Sequence, residues 1–379
     1  MNLALKFLYS ALVYLVVAAF LGILNLFGFY FKPVHSHLML AGFVSLTIVG
    51  AMYQIVPTIL GTELRGKALA EGSFYLLNLG TVLLALSMRG IVDLSISAAI
   101  YTIGAILFAI VIFLTISSAR LSPSVAVWFF AVAIIYYLAG ITYALLAFLG
   151  VFTFNIRVHA HILAAGWIGL TTFGGLYELF PMLSLRKLKS QKLAWVTFVI
   201  SNVALIGMIY SFTYSEKALL FFGSLFVLSF YLLALNLLLT LASKPESEAE
   251  LDISVKFFVV ALIFGLAGIT LAPLNLFFDL TFQHSHLLLA GWIALTIVGA
   301  EYHIIPMITW MEKYADKLGV EDVPMIADLF NIKIGKFALY VSPLGVILLV
   351  IPQTSIAGGV LFTFAILAFV ADMFAVRIR

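Results

Sequence analysis

This chain of 379 residues contains no cysteine. Disulfides, thiolate zinc sites, iron–sulfur clusters and covalently attached c-type haem are therefore excluded. Charge is scarce as well: Asp, Glu, Lys and Arg make up 10% of the residues, against 64% hydrophobic. Soluble domains carry about 25% charged residues, so this balance indicates an integral membrane protein. The net charge is only +3 and no basic run is present, so nucleic acid is not an expected partner. Histidine is also sparse, at seven, and the placement of those seven is the most informative feature of the chain.

What the chain has in quantity is long apolar runs. Polar breaks divide it into twelve, about 4–31, 34–60, 68–88, 93–117, 124–151, 157–183, 193–213, 218–241, 256–281, 283–310, 334–351 and 355–376. Each is close to the roughly 20 residues that cross a bilayer as a helix. The first run, Leu3 to Phe31, lacks a small-residue cleavage site and reads as a retained helix. The fold class is thus an all-α integral membrane protein of twelve transmembrane helices, forming one transmembrane domain over 1–379. The helices fall into three four-helix repeats, 1–121, 122–243 and 253–379, which should close around a pseudo-three-fold axis. The acidic stretch Ser243 to Asp252 links the second and third repeats. The charged loop Met311 to Lys333 is expected outside the bilayer, with a short surface helix.

Orientation follows from Lys and Arg. Sixteen of the twenty, from Lys6 to Arg379, fall on the side of the N-terminus, and only Lys32, Arg89, Arg157 and Lys217 on the other. The positive-inside rule then places both termini in the cytoplasm; the expected location is a prokaryotic plasma membrane.

One segment occurs three times: His35 to Pro57, His159 to Pro181 and His284 to Pro306, with first histidines 124 and 125 residues apart. Counting that histidine as zero, all three share His at 0 and +2, Ala at +6, Gly at +7, Leu at +11 and Thr at +12. They also share Gly at +15, Tyr at +18 and Pro at +22. Each copy opens the second helix of its repeat, near the outer face.

Residues two apart on a helix point about 200° from each other. His35 and His37, His159 and His161, and His284 and His286 therefore face different neighbours rather than chelating one ion. Three such helices make three crevices, each with one imidazole from either side, which suits the two axial positions of a haem iron. Gly42, Gly166 and Gly291 lie within about 20° of the first histidine, two turns deeper, where a macrocycle could rest on the backbone. Packing alone would use single histidines bonded to neighbouring helices. Zinc or copper would normally want more ligands per crevice. Thr47, Thr171 and Thr296 are expected to bond back to their own helix. Tyr53, Tyr177 and Tyr302 are expected in the interface belt, and Pro57, Pro181 and Pro306 at helix ends. His303 sits at +19, about 25 Å along from its pair, and cannot serve the same haem. It reads as polar packing or part of a proton path. Glu178 and Glu301, near the inner ends, read as snorkelling groups or remnants of a proton route. Arg157, Lys32 and Arg89 are candidates to pair with haem propionates or to anchor the interface.

His284 to Pro306 resembles the tenth helix of subunit I of the haem–copper oxidases, of which cytochrome c oxidase subunit I is a member. The match rests on His284, His286, Gly299, His303 and Pro306. His35, with Gly50 and Pro57, similarly resembles that family's second helix. The resemblance implies haems near the outer face and pairs the second histidine of one motif with the first of another: His35 with His286, His37 with His159 and His161 with His284. The chain departs from the family elsewhere. The sixth helix carries His159 and His161 where the family has a copper ligand, and the seventh has no histidine. Pro352 and Gln353 replace the family's arginine pair, and its Lys and Asp proton channels are not evident. Copper is therefore not expected.

The function implied is a membrane b-type cytochrome holding one to three non-covalent bis-histidine haems and transferring electrons laterally in a respiratory chain. It is more an electron-transfer subunit than a complete oxygen reductase. Expected partners are membrane lipid, other respiratory-complex subunits or an outer-face redox protein, and quinol. One alternative is a divergent terminal oxidase or nitric oxide reductase with a five-coordinate haem. Another is a histidine-lined transporter of metal ions or small molecules.

Overall fold

The computed structural model describes residues 1–247 and 250–378. Glu248 and Ala249 of the expected linker, and Arg379 of the charge count, lie outside the described residues.

Twelve helices are long and apolar enough to span a membrane. In order they are Leu3–Leu26, Lys32–Ile59, Lys67–Ser87, Leu94–Ser117, Val125–Phe148, Ile156–Leu183, Gln191–Tyr214, Glu216–Leu241, Ile253–Leu276, Thr281–Lys313, Ile332–Leu349 and Pro352–Ile378. No β-strand occurs among the described residues. The chain is a multi-pass membrane protein. Many helices start on a residue whose side chain accepts from the first free backbone N–H groups, as such caps do. Asp93 accepts from Ser95 N and Ile96 N at 2.9 and 3.2 Å. Asn155, Ser190, Asp252 and Asn331 cap the sixth, seventh, ninth and eleventh helices in the same way.

Three helix ends fall short of the apolar runs. The ninth helix stops at Leu276, short of 281, and the first and fifth stop at Leu26 and Phe148, short of 31 and 151. Gly28 and Gly150 take φ of +90° and +79°, a left-handed turn that side chains resist. The residues beyond, Phe27, Phe29 and Tyr30, are exposed. Aromatic residues suit a membrane interface as well as a helix, so composition alone runs the helix on. In the loop after the tenth helix, two short 3₁₀ turns, Ala315–Lys317 and Ile326–Leu329, stand where one surface helix was expected.

The second, sixth and tenth helices are the most buried of the twelve. They touch one another directly. Trp167 Nε1 of the sixth donates to Ser45 Oγ of the second at 3.0 Å. Thr47 of the second donates to Glu301 of the tenth at 3.3 Å. Phe173 of the sixth meets Trp292 of the tenth edge-on at 5.9 Å. Shared small residues let the preceding helix come close. A Cβ added at Gly50, Gly174 or Gly299 would sit 3.0 Å from the carbonyl oxygens of Ala4, Ala126 and Ser254 respectively. Close backbone approach over small residues is how membrane helices associate without a hydrophobic driving force.

Candidate functional site

Each motif begins as regular α-helix and then widens. Lys32–His37, Ile156–His161 and Thr281–His286 are α-helical, and the π-helical segments Leu38–Val44, Ile162–Gly169 and Leu287–Ala294 follow directly. Ser45 N–H reaches back five residues to Leu40 O, and Ser45 Oγ donates to the same carbonyl at 2.7 Å. Single π turns inside α-helices occur mostly at functional sites. Here they lie immediately below all three histidine pairs.

The six histidines share one bonding scheme. The first of each motif places Nδ1 against a carbonyl of the preceding helix: His35 to Ala18 at 2.8 Å, His159 to Gly140 at 3.2 Å and His284 to Gly268 at 2.9 Å. The second places Nδ1 against the carbonyl four residues back in its own helix. His37 reaches Pro33 at 2.9 Å, His161 reaches Arg157 at 2.8 Å and His286 reaches Phe282 at 2.9 Å. A carbonyl only accepts, so Nδ1 carries the proton and Nε2 keeps its lone pair. No Nε2 hydrogen bond is found among the described residues. This is the arrangement in which histidine ligates metal, with the far ring nitrogen tied to a backbone carbonyl.

Charge on the rings is felt between motifs: His37 acts on His159, His284 on His161 and His35 on His286. Lys32 also acts on His286, and Arg157 on His161. Arg89 is held instead by Tyr30 O at 3.2 Å and lies 5.2 Å from the Phe31 ring centre. Phe282 packs on His286 at 4.0 Å and Phe212 on His161 at 4.4 Å. Among the described residues no group of three or more His, Asp or Glu converges as for a metal ion. Imidazoles with Nδ1 tied and Nε2 unbonded suit the axial positions of a haem, whereas a four-coordinate zinc site would need more ligands together.

The glycines at +7 lie on the face of the first histidine, toward the preceding helix, and the space against each is filled. A Cβ at Gly42 would be 2.8 Å from Tyr14 Cγ, at Gly166 2.7 Å from Tyr136 Cγ, and at Gly291 2.7 Å from Phe264 Cγ. These glycines thus have a packing role of their own, one aromatic ring each. Sequence reasoning missed Tyr14, Tyr136 and Phe264. Their equivalent positions in the first helix of each repeat were the available signal.

Four expectations are corrected by the packing. Thr47 donates to Glu301 rather than to its own helix, and the Thr171 and Thr296 hydroxyls are buried without a partner. Tyr53, Tyr177 and Tyr302 are buried rather than interfacial. Tyr53 OH pairs with Ser73 Oγ at 2.7 Å and Tyr177 OH with Thr197 Oγ1 at 3.1 Å. Pro57 and Pro181 stand two residues from the ends of their helices, at Ile59 and Leu183, as expected, but the tenth helix continues from Pro306 to Lys313. Glu301 does not snorkel: it is 0% exposed, with its carboxylate against Thr47 of the second helix.

The whole chain superimposes on a solved haem–copper terminal oxidase, from a cryo-EM structure of that enzyme's dimer, with a TM-score of 0.77. The match covers 100% of this chain and 85% of the oxidase, at 13% sequence identity. The chain therefore has the membrane fold of haem–copper oxidase subunit I, in a divergent form. An uncharacterised protein of Aquifex aeolicus (strain VF5) is 28% identical over 287 residues, covering 73% of this chain and 71% of the relative. No protein-family model matches the chain.

Proposed function

We propose that this protein is a membrane b-type cytochrome of haem–copper oxidase fold, holding one to three bis-histidine haems and carrying electrons in a respiratory chain. The observation that carries this is the uniform histidine scheme. All six Nδ1 atoms are tied to carbonyls, which leaves six Nε2 lone pairs free to ligate. Packing needs no such uniformity. The pairs His35 with His286, His37 with His159 and His161 with His284 would each hold one haem, which supplies one-electron redox chemistry when bound. Lys32 and Arg157 are placed to neutralise propionates beside two of the crevices.

Bis-histidine ligation leaves no open position, so electron transfer rather than oxygen reduction is the proposed activity. The histidines lie at one depth, so electrons move along one face of the membrane. With the termini cytoplasmic that face is the outer one of a prokaryotic plasma membrane. A quinol or redox protein there is the donor or acceptor, together with other subunits of a respiratory complex.

The deciding experiment is a reduced-minus-oxidised spectrum of the purified protein with a pyridine haemochrome count. One to three low-spin b haems per chain, unchanged by carbon monoxide, support the cytochrome. One haem that binds carbon monoxide returns the chain to the terminal oxidase or nitric oxide reductase class. A colourless protein that retains divalent metal would overturn both redox readings in favour of transport.

A further inference from the structure

Far below the histidines, toward the end of the bundle that carries Glu312 and Arg377, one acidic side chain is wholly enclosed. Glu301 is 0% exposed. Its Oε1 accepts from Thr47 Oγ1 at 3.3 Å, and its Oε2 is buried with no hydrogen-bond partner among the described residues. No ion pair to it is found among them. The equivalent residues of the other two motifs, Met52 and Leu176, are apolar and buried, so packing at this level does not call for a polar group.

The groups around it are accounted for. From the first helix, Tyr9 lies within Coulombic range of Glu301. Its hydroxyl donates to Met373 O at 3.2 Å and faces Thr309. Beyond Tyr9 stand Arg377 and Glu312, which pair with each other at 2.6 Å near the end of the bundle. From the twelfth helix, Asp372 accepts from Asn331 N at 3.0 Å. His303, two residues along the same helix, is turned toward Asp252. Glu178 of the sixth helix is turned toward Ser124. None of these cations reaches Glu301.

We propose that Glu301 is a proton-binding site, a neutral carboxylic acid reached from the end of the bundle opposite the histidines past Tyr9. An ionised carboxylate here would have one weak donor and no counter-ion in a low-dielectric interior, which is far costlier than a neutral acid with one unpaired hydroxyl. The proton taken up resides on the unpartnered Oε2, while Thr47 continues to donate to Oε1. Hydroxyl groups can pass a proton because each both donates and accepts. Tyr9, on which Glu301, Arg377 and Glu312 all act, supplies one between Glu301 and the ion-paired end. The site stands whether or not the histidines hold a cofactor.

Infrared spectroscopy of the purified full-length protein tests this directly. The wild-type spectrum at neutral pH should contain a protonated-carboxyl C=O band that moves to lower frequency in deuterium oxide and is lost in Glu301→Gln. Thr47→Val, which keeps the acid but removes its donor, should shift that same band to higher frequency. This keeps the assignment testable if the first variant does not fold. Tyr9→Phe should retain the band and slow its deuteration several-fold. A wild-type spectrum in which Glu301→Gln and Thr47→Val change no such band overturns the site. Deuteration at the wild-type rate in Tyr9→Phe overturns the route.

Discussion

Replacing the three shared tyrosines by phenylalanine, one at a time, should give effects of opposite sign. The ring stays in place, so its burial cancels and only the hydroxyl differs. Tyr53 OH pairs with Ser73 Oγ at 2.7 Å, and Ser73 keeps its bond to Ala70 O at 2.7 Å when the hydroxyl goes. The loss is then one net hydrogen bond, about 0.5–1.5 kcal/mol, toward the lower end inside a membrane protein. Tyr177→Phe should behave alike, since Thr197 keeps Leu193 O at 2.9 Å. Tyr302 is different. Its hydroxyl is buried with no partner among the described residues, and Gly335 lies opposite, with nothing to offer. Removing an unpaired buried hydroxyl relieves a desolvation penalty of about 1–3 kcal/mol. Tyr302→Phe should therefore be stabilising, and should differ from Tyr53→Phe by about 1.5–4.5 kcal/mol in all. That is tenfold or more in the unfolding equilibrium at about 1.4 kcal/mol per decade. Reversible unfolding in mixed micelles, driven by sodium dodecyl sulfate and followed by tryptophan fluorescence, resolves such differences. A Tyr302→Phe protein destabilised as much as Tyr53→Phe would refute the reasoning, because the hydroxyl would then have a partner.

Under the proposed function, His35→Ala and His286→Ala should each remove the same haem from the absorbance spectrum, as should His161→Ala and His284→Ala. Loss of different haems within one pair would overturn the pairing. Gly166→Val should destabilise by about 1–3 kcal/mol through overpacking against Tyr136, measured by the same unfolding titration. Gly175→Ala, where an added Cβ meets nothing within 4 Å, should instead gain up to about 1 kcal/mol from helix propensity.

The number of helices was legible in the sequence because a lipid solvent demands long, nearly uncharged runs, and that demand is local. Helix ends were less legible. Phe27, Phe29 and Tyr30 are as apolar as the helix before them, and only Gly28 marks the turn. The histidine positions were legible from their i,i+2 spacing, since their separation around a helix is fixed by geometry. The partners of Nδ1 were not, because Ala18, Gly140 and Gly268 contribute carbonyls, which every residue has. The shared glycines were read as space for a ligand. Vacancy in a sequence does not say what fills it, and Tyr14, Tyr136 and Phe264 arrive from another helix. The π-helical turns below each pair were not legible at all, since they contain ordinary helix formers. Thr47 was read by a local rule, and a contact 254 residues away in sequence overrode it.

Under the proposed function, the histidine ends of the three motifs are nearly equivalent, so ligation alone would give electrons no direction. The differences lie in the charges nearby. Lys32 acts on His286 and Arg157 on His161, while among the described residues no cation acts on His37 or His159. A cation beside a haem favours its reduced state, because the added electron is attracted to it. At about 10 Å and an effective dielectric of about 20, one unit charge is worth about 1.7 kcal/mol. For a one-electron couple, at about 59 mV per decade of equilibrium constant, that is about 70 mV. The haem between His37 and His159 should therefore have the lowest potential of the three, other surroundings being alike. Lys32→Gln should lower the potential of the haem between His35 and His286 by tens of millivolts and move the other two much less. A redox titration of the haem absorbance, in wild type and in Lys32→Gln, measures this. Potentials that all shift together, or none that shift, would show that the local cations do not set the order.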